Sequence, residues 1–375
     1  MLNLSSFFAL YCTNLGASHT FFSICEQWNY PDFKARMIVP NCDPSCRRPN
    51  LVEAVPRYFK WLYYRSADRP RNCTEKLFLR DVKDFDAIYL WPNTSIETFR
   101  KVKQESTPIL LERINCYTKP AKFIIDDAYH RLGIDPQHQI TADTIQEEDE
   151  QISLADFIFC PSPEVKKSFM GAGVPEHKLI LTSYGWSPKR FPPFVSDKPL
   201  SDTITVIFAG SVCVRKGAHL LLRAWEKAGI KGRLLLCGSM EPAIAETCSS
   251  ILARSDVIHR DYTSDIALAY READFFAFPS LEEGSPLVTY EAMANGLPVL
   301  TSPMGAGGVV RDGKDGIIVS PYDEEALVTG LQQLAGCADL RLRMSKSARE
   351  RAQEFTWEKV ARRRAELVLE RLKPG

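Results

Sequence analysis

The sequence lacks several features that would define its class at once. Its 375 residues hold 47 basic and 47 acidic side chains, so no net charge attracts nucleic acid or an anionic surface to the whole molecule. No run of about 18 apolar residues is present, which excludes an ordinary membrane-spanning helix. Repeats and low-complexity tracts are missing as well. We therefore expect a globular chain with no nucleic-acid partner, and any positive site must be local.

The eleven cysteines show no paired framework, and their number is odd. This pattern favours buried thiols in a reducing compartment over a disulfide scaffold. Residues 1–12 lack a basic n-region and a small-residue cleavage site, so they predict a first strand rather than a signal peptide. We expect a cytoplasmic protein, with peripheral membrane contact left open. Cys42 and Cys46 have no second ligand pair at zinc spacing, so we predict no metal site.

Two signatures of other enzyme classes are missing or misplaced. The glycines at 171–173 and 305–308 do not follow a strand in the G-x-G-x-x-G form, which argues against a dinucleotide-dependent oxidoreductase. Asp84-Phe85-Asp86 matches the D-x-D motif of metal-dependent sugar transferases. It precedes the buried run 87–91 instead of following it, so we interpret it as the polar start of a strand.

The length suits two domains with a cleft between them. In the second half, short β-rich runs alternate with helical periodicity, which predicts a parallel doubly wound sheet with a ligand at the carboxyl ends of its strands. The predicted strands are 205–209, 234–237, 257–259, 275–279 and 298–300, and the predicted helices are 218–228, 264–272 and 287–295.

The first half is less regular but predicts a second α/β domain. Its buried runs are 87–91, 107–111 and 157–160, and a helical stretch covers 163–172. We predict an N-terminal domain at 1–192, a proline-rich linker at 193–201, a C-terminal domain at 202–356 and an amphipathic helix at 357–375.

The stretch LEEGSPLVTYEAMANGLPVL carries the chemistry of the second domain. Gly284 is predicted to take unusual dihedrals in a turn, and Pro286 suits the first position of a helix that stops at Gly296. The amino end of such a helix attracts phosphate. Glu283 lies just before this end and Glu291 about a turn beyond it, so the two carboxylates could bind hydroxyls on either side of a diphosphate. A nucleotide sugar has this layout.

These residues resemble a known family. Glu283 and Glu291, in the frame FPSLEEGSPLVTYEAMANGLPVL, match the E-x7-E signature of retaining GT-B glycosyltransferases, especially glycosyltransferase family 4 (glycosyl transferases group 1). The segments IFAGSVCVRKGAHLLLRAW, LLLCGS and YREADFFAFPS are similar to the same family. The resemblance covers about residues 150–375.

The resemblance implies a GT-B fold: two Rossmann-like doubly wound domains, the donor bound in the C-terminal one and the acceptor facing the N-terminal one. The C-terminal helix would cross back to the N-terminal domain. The implied reaction moves a sugar from a nucleoside diphosphate sugar to an acceptor hydroxyl with retention, as a hexosyltransferase does. The nucleotide base, the sugar and the acceptor, which could be a sugar, a lipid-linked glycan or a small molecule, stay open. No cofactor or metal is implied beyond the donor itself.

The family's site residues carry over by position. Arg215 and Lys216 would stabilise the leaving diphosphate, a role for which fixed cations are suited. Glu283 would hold the donor sugar and Glu291 the ribose. The implied catalytic residues are Arg215, Lys216 and Glu283; the donor-binding residues are Gly210, Gly238, Ser285, Pro286, Leu287 and Glu291; the acceptor-side residues are Gly16 and His19.

The acceptor side departs from the family pattern. The usual glycine-rich loop is reduced to Gly16, and Arg113 and Asn115 stand near the region where many members have a histidine. Base contacts are expected from backbone near Gly238 and from the loop 259–263. A non-catalytic nucleotide-sugar-binding subunit and a nucleotide-sugar epimerase are therefore alternatives. A hydrolase would need two carboxyl groups set across a glycosidic bond, which nothing else in the sequence supports.

Overall fold

A computed structural model describes residues 1–13, 15–66, 68–192, 203–261 and 265–372. The predicted linker at 193–201 lies outside these residues, so its boundaries stay a prediction. Among the described residues, no helix is both long and apolar enough to cross a bilayer.

The N-terminal half forms one sheet with the strand order β2-β3-β1-β5-β6-β7-β8, and β4 pairs with β3. All pairs are parallel except β2 with β3. Its central strands are buried and mostly apolar, as expected for a sheet covered on both faces, with the polar exceptions Ser5, Ser6 and Glu112. The strands are β1 Leu2–Phe7, β2 Asn29–Tyr30, β3 Phe33–Val39, β4 Leu51–Glu53, β5 Ala87–Leu90, β6 Ile109–Glu112, β7 Phe157–Cys160 and β8 Leu179–Leu181.

Helices connect these parallel strands. Side-chain caps start three of them: Ser95, Thr141 and Ser162 each accept a hydrogen bond from a backbone N–H in the first turn. The helices are α1 Gly16–Cys25, α2 Lys60–Tyr63, α3 Asp68–Arg80, α4 Ile96–Gln104, α5 Thr118–Arg131, α6 Ala142–Leu154 and α7 Pro163–Gly171.

The C-terminal half forms a second, fully parallel sheet with the order β11-β10-β9-β12-β13-β14. This is the Rossmann order, in which the chain reverses direction between the first and fourth strands, here β9 and β12. Ligands bind at such a switch point, beside the loops that follow these two strands. The strands are β9 Ile204–Ala209, β10 Gly232–Cys237, β11 Val257–Arg260, β12 Phe275–Phe278, β13 Val299–Thr301 and β14 Gly316–Ile318.

The helices of this half confirm the predicted alternation. Helix α8 is bounded by Gly217 and Gly229, which both have the left-handed backbone (φ 69° and 59°) that glycine adopts readily. The helices are α8 Ala218–Ala228, α9 Pro242–Thr247, α10 Ser249–Leu252, α11 Ile266–Glu272, α12 Leu287–Ala294, α13 Pro303–Ala306, α14 Glu324–Gly336, α15 Ala338–Ala352 and α16 Trp357–Leu372.

Two local predictions at the start of α12 were wrong. Pro286 is not the first helical residue but the residue before it, with an extended ψ of 118°. Gly284 does not have a positive φ. A glycine is needed there because a Cβ would lie 1.5 Å from the carbonyl oxygen of Ile114 in the other half of the chain.

Helix α16 crosses back onto the N-terminal sheet, as the resemblance implied. The indole N–H of Trp28 donates to the carbonyl of Ala361 at 2.8 Å. Arg364 is fully buried, and its Nη1 lies 2.8 Å from Oε2 of Glu112 on β6. The C-terminal helix of the chain is therefore held against the N-terminal sheet.

Candidate active site

A cavity of about 400 Å³ lies between the two halves, where β9 and β10 end opposite the start of α1. Seven of the eleven predicted site residues line it: Gly16, His19, Gly210, Lys216, Gly238, Leu287 and Glu291. Its other lining residues, which the sequence did not single out, are Leu15, Arg190, Ala209, Ser211, Cys237, Ser239, Ile266 and Val288.

The loop from β9 to α8 folds Lys216 back over the end of its own strand. Gly210 has a φ of 108°, and a Cβ on it would lie 3.2 Å from Nζ of Lys216. A Cβ on Gly217 would lie 2.1 Å from the carbonyl oxygen of Pro279, so the loop packs directly on the end of β12. These two glycines place the ammonium group of Lys216 at the switch point.

Two carboxylates and two cations meet behind this point. Oε1 of Glu283 lies 3.1 Å from Nζ of Lys216 and 3.5 Å from Nη1 of Arg215. Oε2 of Glu282 lies 3.1 Å from the same Nη1 of Arg215. Both glutamates are buried, and buried charges persist only when they are paired. The predicted proximity of Arg215 and Glu283 is therefore present.

The pKa values of Glu282 and Glu283 shift in opposite directions. Burial favours the neutral form of Glu283, but Lys216 and then Arg215 outweigh it, so its pKa lies below the usual value. Burial dominates at Glu282, whose pKa is raised although Arg215 opposes the shift. Burial lowers the pKa of Arg215, but Glu283 and Glu282 together raise it above its ordinary value. The lowered pKa makes Glu283 the stronger acid of the pair.

Four predicted residues do not line the cavity among the residues described. Arg215 and Glu283 lie behind Lys216, in contact with it or with each other. Ser285 shares a hydrogen bond of 2.6 Å with the hydroxyl of Tyr290. Pro286 lies between this bond and the start of α12. These four residues therefore lie behind the residues that line the cavity.

Glu291 lies in the same cavity at another wall. The Tyr270 hydroxyl donates to its Oε2 at 3.3 Å, and Nη1 of Arg190 lies 3.8 Å from its Oε1. Burial raises the pKa of Glu291, and Arg190 opposes the shift. The sequence did not single out Arg190, which stands beside the proline-rich stretch, or Tyr270, which has the pattern of a core aromatic.

Two helix starts face the cavity. Leu287 and Val288 begin α12, and their side of the helix lines it. Opposite them, Gly16 begins α1 with a φ of 57°, directly after the N-cap residue Leu15. Unpaired backbone N–H groups at a helix start favour anions. The cavity therefore combines such ends with the ammonium group of Lys216.

His19 lies in the cavity wall on the N-terminal side. Burial and then the charge of Arg190 lower its pKa to about 4. Its ring centre is 6.1 Å from that of Trp357, in an edge-to-face arrangement. The imidazole is consequently neutral at neutral pH and able to accept or donate a hydrogen bond.

The predicted base-contact region is partly described. Gly238 has a φ of 140°, and a Cβ on it would lie 2.2 Å from the carbonyl oxygen of Gly210. Nε2 of His259 lies 2.8 Å from the carbonyl oxygen of Gly238. Tyr262 and Thr263, also in the predicted loop, lie outside the described residues.

Arg113 does not reach this cavity. It is buried, forms an ion pair with Glu148 and lines a separate pocket of about 420 Å³ with Thr94 and Gln151. Asn115 is exposed, while its backbone packs against Gly284.

Two polar contacts between the halves end on the loop that carries Arg215 and Lys216. The backbone N–H of Cys116 donates to Glu282 at 3.3 Å, and Glu282 binds Arg215. The hydroxyl of Tyr129 donates to Glu241, which accepts the backbone N–H of Val214 at 2.8 Å. Sequence patterns could not find these contacts because they join residues more than a hundred positions apart.

Comparison with known proteins identifies the C-terminal half. Residues 203–336 match the family model of glycosyl transferases group 1. This segment is a glycosyl transferases group 1 domain. The group 1 domain holds all the predicted catalytic and donor-binding residues.

Relatives and solved structures agree with this assignment. D-inositol 3-phosphate glycosyltransferase of Corynebacterium kroppenstedtii is 33% identical over 192 residues, which are 47% of this chain and 42% of the relative. Sulfoquinovosyl transferase of Arabidopsis thaliana is 26% identical over 220 residues, 54% of this chain and 42% of the relative. The matched segments span less than half the length of these relatives.

Structural similarity extends over the whole chain. HepE of Anabaena, solved with UDP and glucose, aligns with a TM-score of 0.72 at 14% identity and covers 99% of this chain and 100% of its own. WaaG, a glycosyltransferase involved in lipopolysaccharide biosynthesis, aligns with a TM-score of 0.66 at 15% identity and covers 97% of this chain and 99% of its own. At these identities the likeness shows the fold alone, which is GT-B. The group 1 domain is thus one half of a GT-B architecture.

Proposed function

We propose that the chain is a retaining glycosyltransferase of the hexosyltransferase type, moving a sugar from a nucleoside diphosphate sugar to an acceptor hydroxyl. The main support is the contact of Glu283 with Lys216 and Arg215 at the switch point of the group 1 domain. HepE of Anabaena has been solved with UDP-glucose, which has the same donor chemistry.

The leaving diphosphate gains negative charge as the glycosidic bond breaks. Lys216 would take this charge at the cavity surface, and Arg215 would support it from behind. The amides at the start of α12 add partial positive charge on another side. Fixed donors of this kind stabilise a transition state because they need no reorganisation when the charge develops. We propose that these groups do so without a metal ion.

Glu283 would change partners when the donor binds. In the absence of a ligand its carboxylate compensates the charges of Lys216 and Arg215. A diphosphate would take over that role, which would release the carboxylate to accept hydrogen bonds from sugar hydroxyls. The lowered pKa keeps Glu283 ionised and therefore a strong acceptor.

Glu291 and Arg190 would lie at the ribose. Burial raises the pKa of Glu291 because it disfavours the charged carboxylate. A bound diol would offset this cost by donating hydrogen bonds to the carboxylate. Gly238 lets backbone approach the base closely. His19 and Gly16 would face the acceptor, with the neutral imidazole as a hydrogen-bond partner rather than a charge.

The test is sugar release or transfer from labelled UDP-glucose and from the corresponding GDP and ADP sugars. Glu283→Gln keeps the size of the side chain but removes its charge, so we expect turnover to fall about 100-fold or more. NMR of the product should show the anomer of the donor. Full activity in Glu283→Gln would contradict the role of Glu283.

The same assay separates the two alternatives. A non-catalytic binding subunit would bind a nucleoside diphosphate but release no sugar with any donor. An epimerase would convert the donor without an acceptor, with a new sugar still bound to its own diphosphate.

A further inference from the structure

One exposed surface of the N-terminal half is unusually aromatic. The side chains of Tyr58 and Trp61 are 92% and 65% exposed, and those of Leu62 and Tyr64 are 38% and 39% exposed. Tyr58 lies on a short 3₁₀ turn, Arg57–Phe59, and Trp61 and Leu62 lie on α2 directly after it. Tyr64 follows the end of α2. Contiguous exposed apolar groups on a globular chain mark an interaction site.

Cations accompany these rings. Nζ of Lys60 lies 4.2 Å from the ring centre of Tyr11, and the guanidinium of Arg65 lies 5.7 Å from the ring of Trp61. Arg65 and Arg69 are exposed, and within the described ranges neither has a carboxylate within 4 Å. Residues 57–71 contain five basic side chains and one acidic side chain, although the whole chain is neutral.

We propose that the aromatic-basic surface, formed by Tyr58, Lys60, Trp61, Tyr64 and Arg65, binds the headgroup region of an anionic membrane. Tryptophan and tyrosine favour this region because their rings are apolar and their tips are polar. Lysine and arginine are attracted to anionic lipids. Because the cations lie against the aromatic rings, the rings and the charges would reach the same depth in the headgroup region.

The surface lies at the rim of the cleft. Lys60 donates to the hydroxyl of Tyr11 at 3.1 Å. Tyr11 follows β1 between Leu10, which lines the polar pocket of Arg113, and Leu15, which lines the main cavity. Membrane binding would therefore hold the mouth of the cleft near the headgroups. None of the five surface residues lines either cavity, so the proposal can be tested independently of the proposed reaction.

Trp61 is a built-in probe of this contact. The chain has six tryptophans, and the other five are at most 5% exposed. With vesicles of equal parts phosphatidylcholine and phosphatidylglycerol, we expect a blue shift of the emission and quenching by brominated acyl chains. Phosphatidylcholine alone should give neither, and high salt should reverse both. Trp61→Phe should abolish the signal without releasing the protein from sedimented vesicles.

Substitutions measure the two contributions separately. In co-sedimentation with the mixed vesicles, Arg65→Gln with Arg69→Gln removes one cation of the surface and the exposed cation four positions after it. This variant should bind about 25-fold more weakly, about fivefold for each cation. Tyr58→Ala with Trp61→Ala should weaken it at least tenfold. The matched control is Leu342→Ala with Arg343→Gln, an exposed apolar side chain and an exposed cation on α15, which should bind as the wild type does.

All variants should keep the wild-type melting temperature, because the substituted side chains are exposed. The proposal is overturned if both surface variants bind the mixed vesicles as tightly as the control, or if phosphatidylcholine alone binds equally well. It is also overturned if the surface mediates self-association without lipid, measured by sedimentation velocity, since the occupant would then be a second copy of this chain.

Discussion

The two sheets hold their chemical groups in different ways. In the C-terminal sheet, the loops after β9 and β12 bring Lys216 and Glu283 together, and each loop is continuous with its strand. In the N-terminal sheet, the strand ends carry buried pairs such as Glu112 with Arg364, whose partner comes from α16. The C-terminal site is thus built from local turns, and the N-terminal half depends on contacts between distant segments.

The largest expected effect tests the distant contact. Arg364→Met leaves the carboxylate of Glu112 buried without its cation, so we expect the free energy of unfolding to fall by about 3–5 kcal/mol. Urea denaturation measures it. Arg363→Met, beside it on the exposed side of α16, is the control and should cost less than about 1 kcal/mol. Equal effects would show that the buried pair does not hold α16 to the sheet.

Removing the local cation should affect rate more than stability. Lys216→Met should lower turnover of the donor about 100-fold or more, because the leaving diphosphate loses a fixed charge. The control is Lys227→Met, which removes an exposed lysine near the C-terminal end of α8, the helix that follows Lys216. It should leave turnover unchanged. Steady-state kinetics with the best donor checks this. Unchanged turnover in Lys216→Met would contradict the proposed role of the loop after β9 in stabilising the leaving diphosphate.

A contact between the two halves should have a smaller effect. Tyr129→Phe removes the hydrogen bond to Glu241, which holds the backbone of Val214 beside the cations. We expect about a tenfold loss in kcat, as a hydrogen bond to a charged group predicts, with little change in donor affinity. Tyr117→Phe, which loses a bond to Asp149 within the N-terminal half, should leave kcat unchanged. A tenfold loss in both variants would point to stability instead.

The pH dependence of stability should be the smallest effect. The pKa of His19 is about 4 in the folded chain and 6.5 in its ordinary state, so the unfolded chain binds a proton first as pH falls. Stability should therefore decrease between pH 6.5 and pH 4. Allowing for partial solvent screening, we expect His19→Gln to reduce this loss by about 1 kcal/mol at pH 5 in urea titrations. An identical slope in the variant would contradict a neutral His19 in the folded chain.

Removal of metal ions with EDTA tests whether turnover of the donor needs a metal, as it does in metal-dependent sugar transferases. Dialysis against EDTA should leave donor turnover within about twofold of the untreated value if Lys216 and Arg215 stabilise the leaving group by themselves. Loss of activity that added Mg²⁺ or Mn²⁺ restores would show that a metal takes part of the charge.

Much of the C-terminal site was predictable because its signals are local. A strand, a glycine, a basic turn and a helix follow one another between residues 204 and 228. Periodicity predicted the strand and the helix, and the family resemblance assigned roles to the glycine and the basic turn. The error at Gly284 has a physical cause: its missing side chain makes room for Ile114, and no local pattern encodes a neighbour in another domain.

The N-terminal half was predicted as an α/β domain but not in its contacts. Arg364 has the pattern of a solvent-facing residue on an amphipathic helix, yet it is fully buried because Glu112 lies beneath it. Arg190 lies beside Glu291, but in the sequence it stands next to a proline-rich stretch without helical or strand periodicity, so no pattern indicated the contact. The domain boundaries at 192 and 202 stay predictions.

Calorimetric titration of UDP, GDP and ADP into the wild type and Lys216→Met tests the central claim most directly. We expect at least one nucleoside diphosphate to bind the wild type and to lose about tenfold or more in affinity in the variant. If none binds, or if the best one binds both proteins equally, the cavity at the switch point is not a diphosphate site.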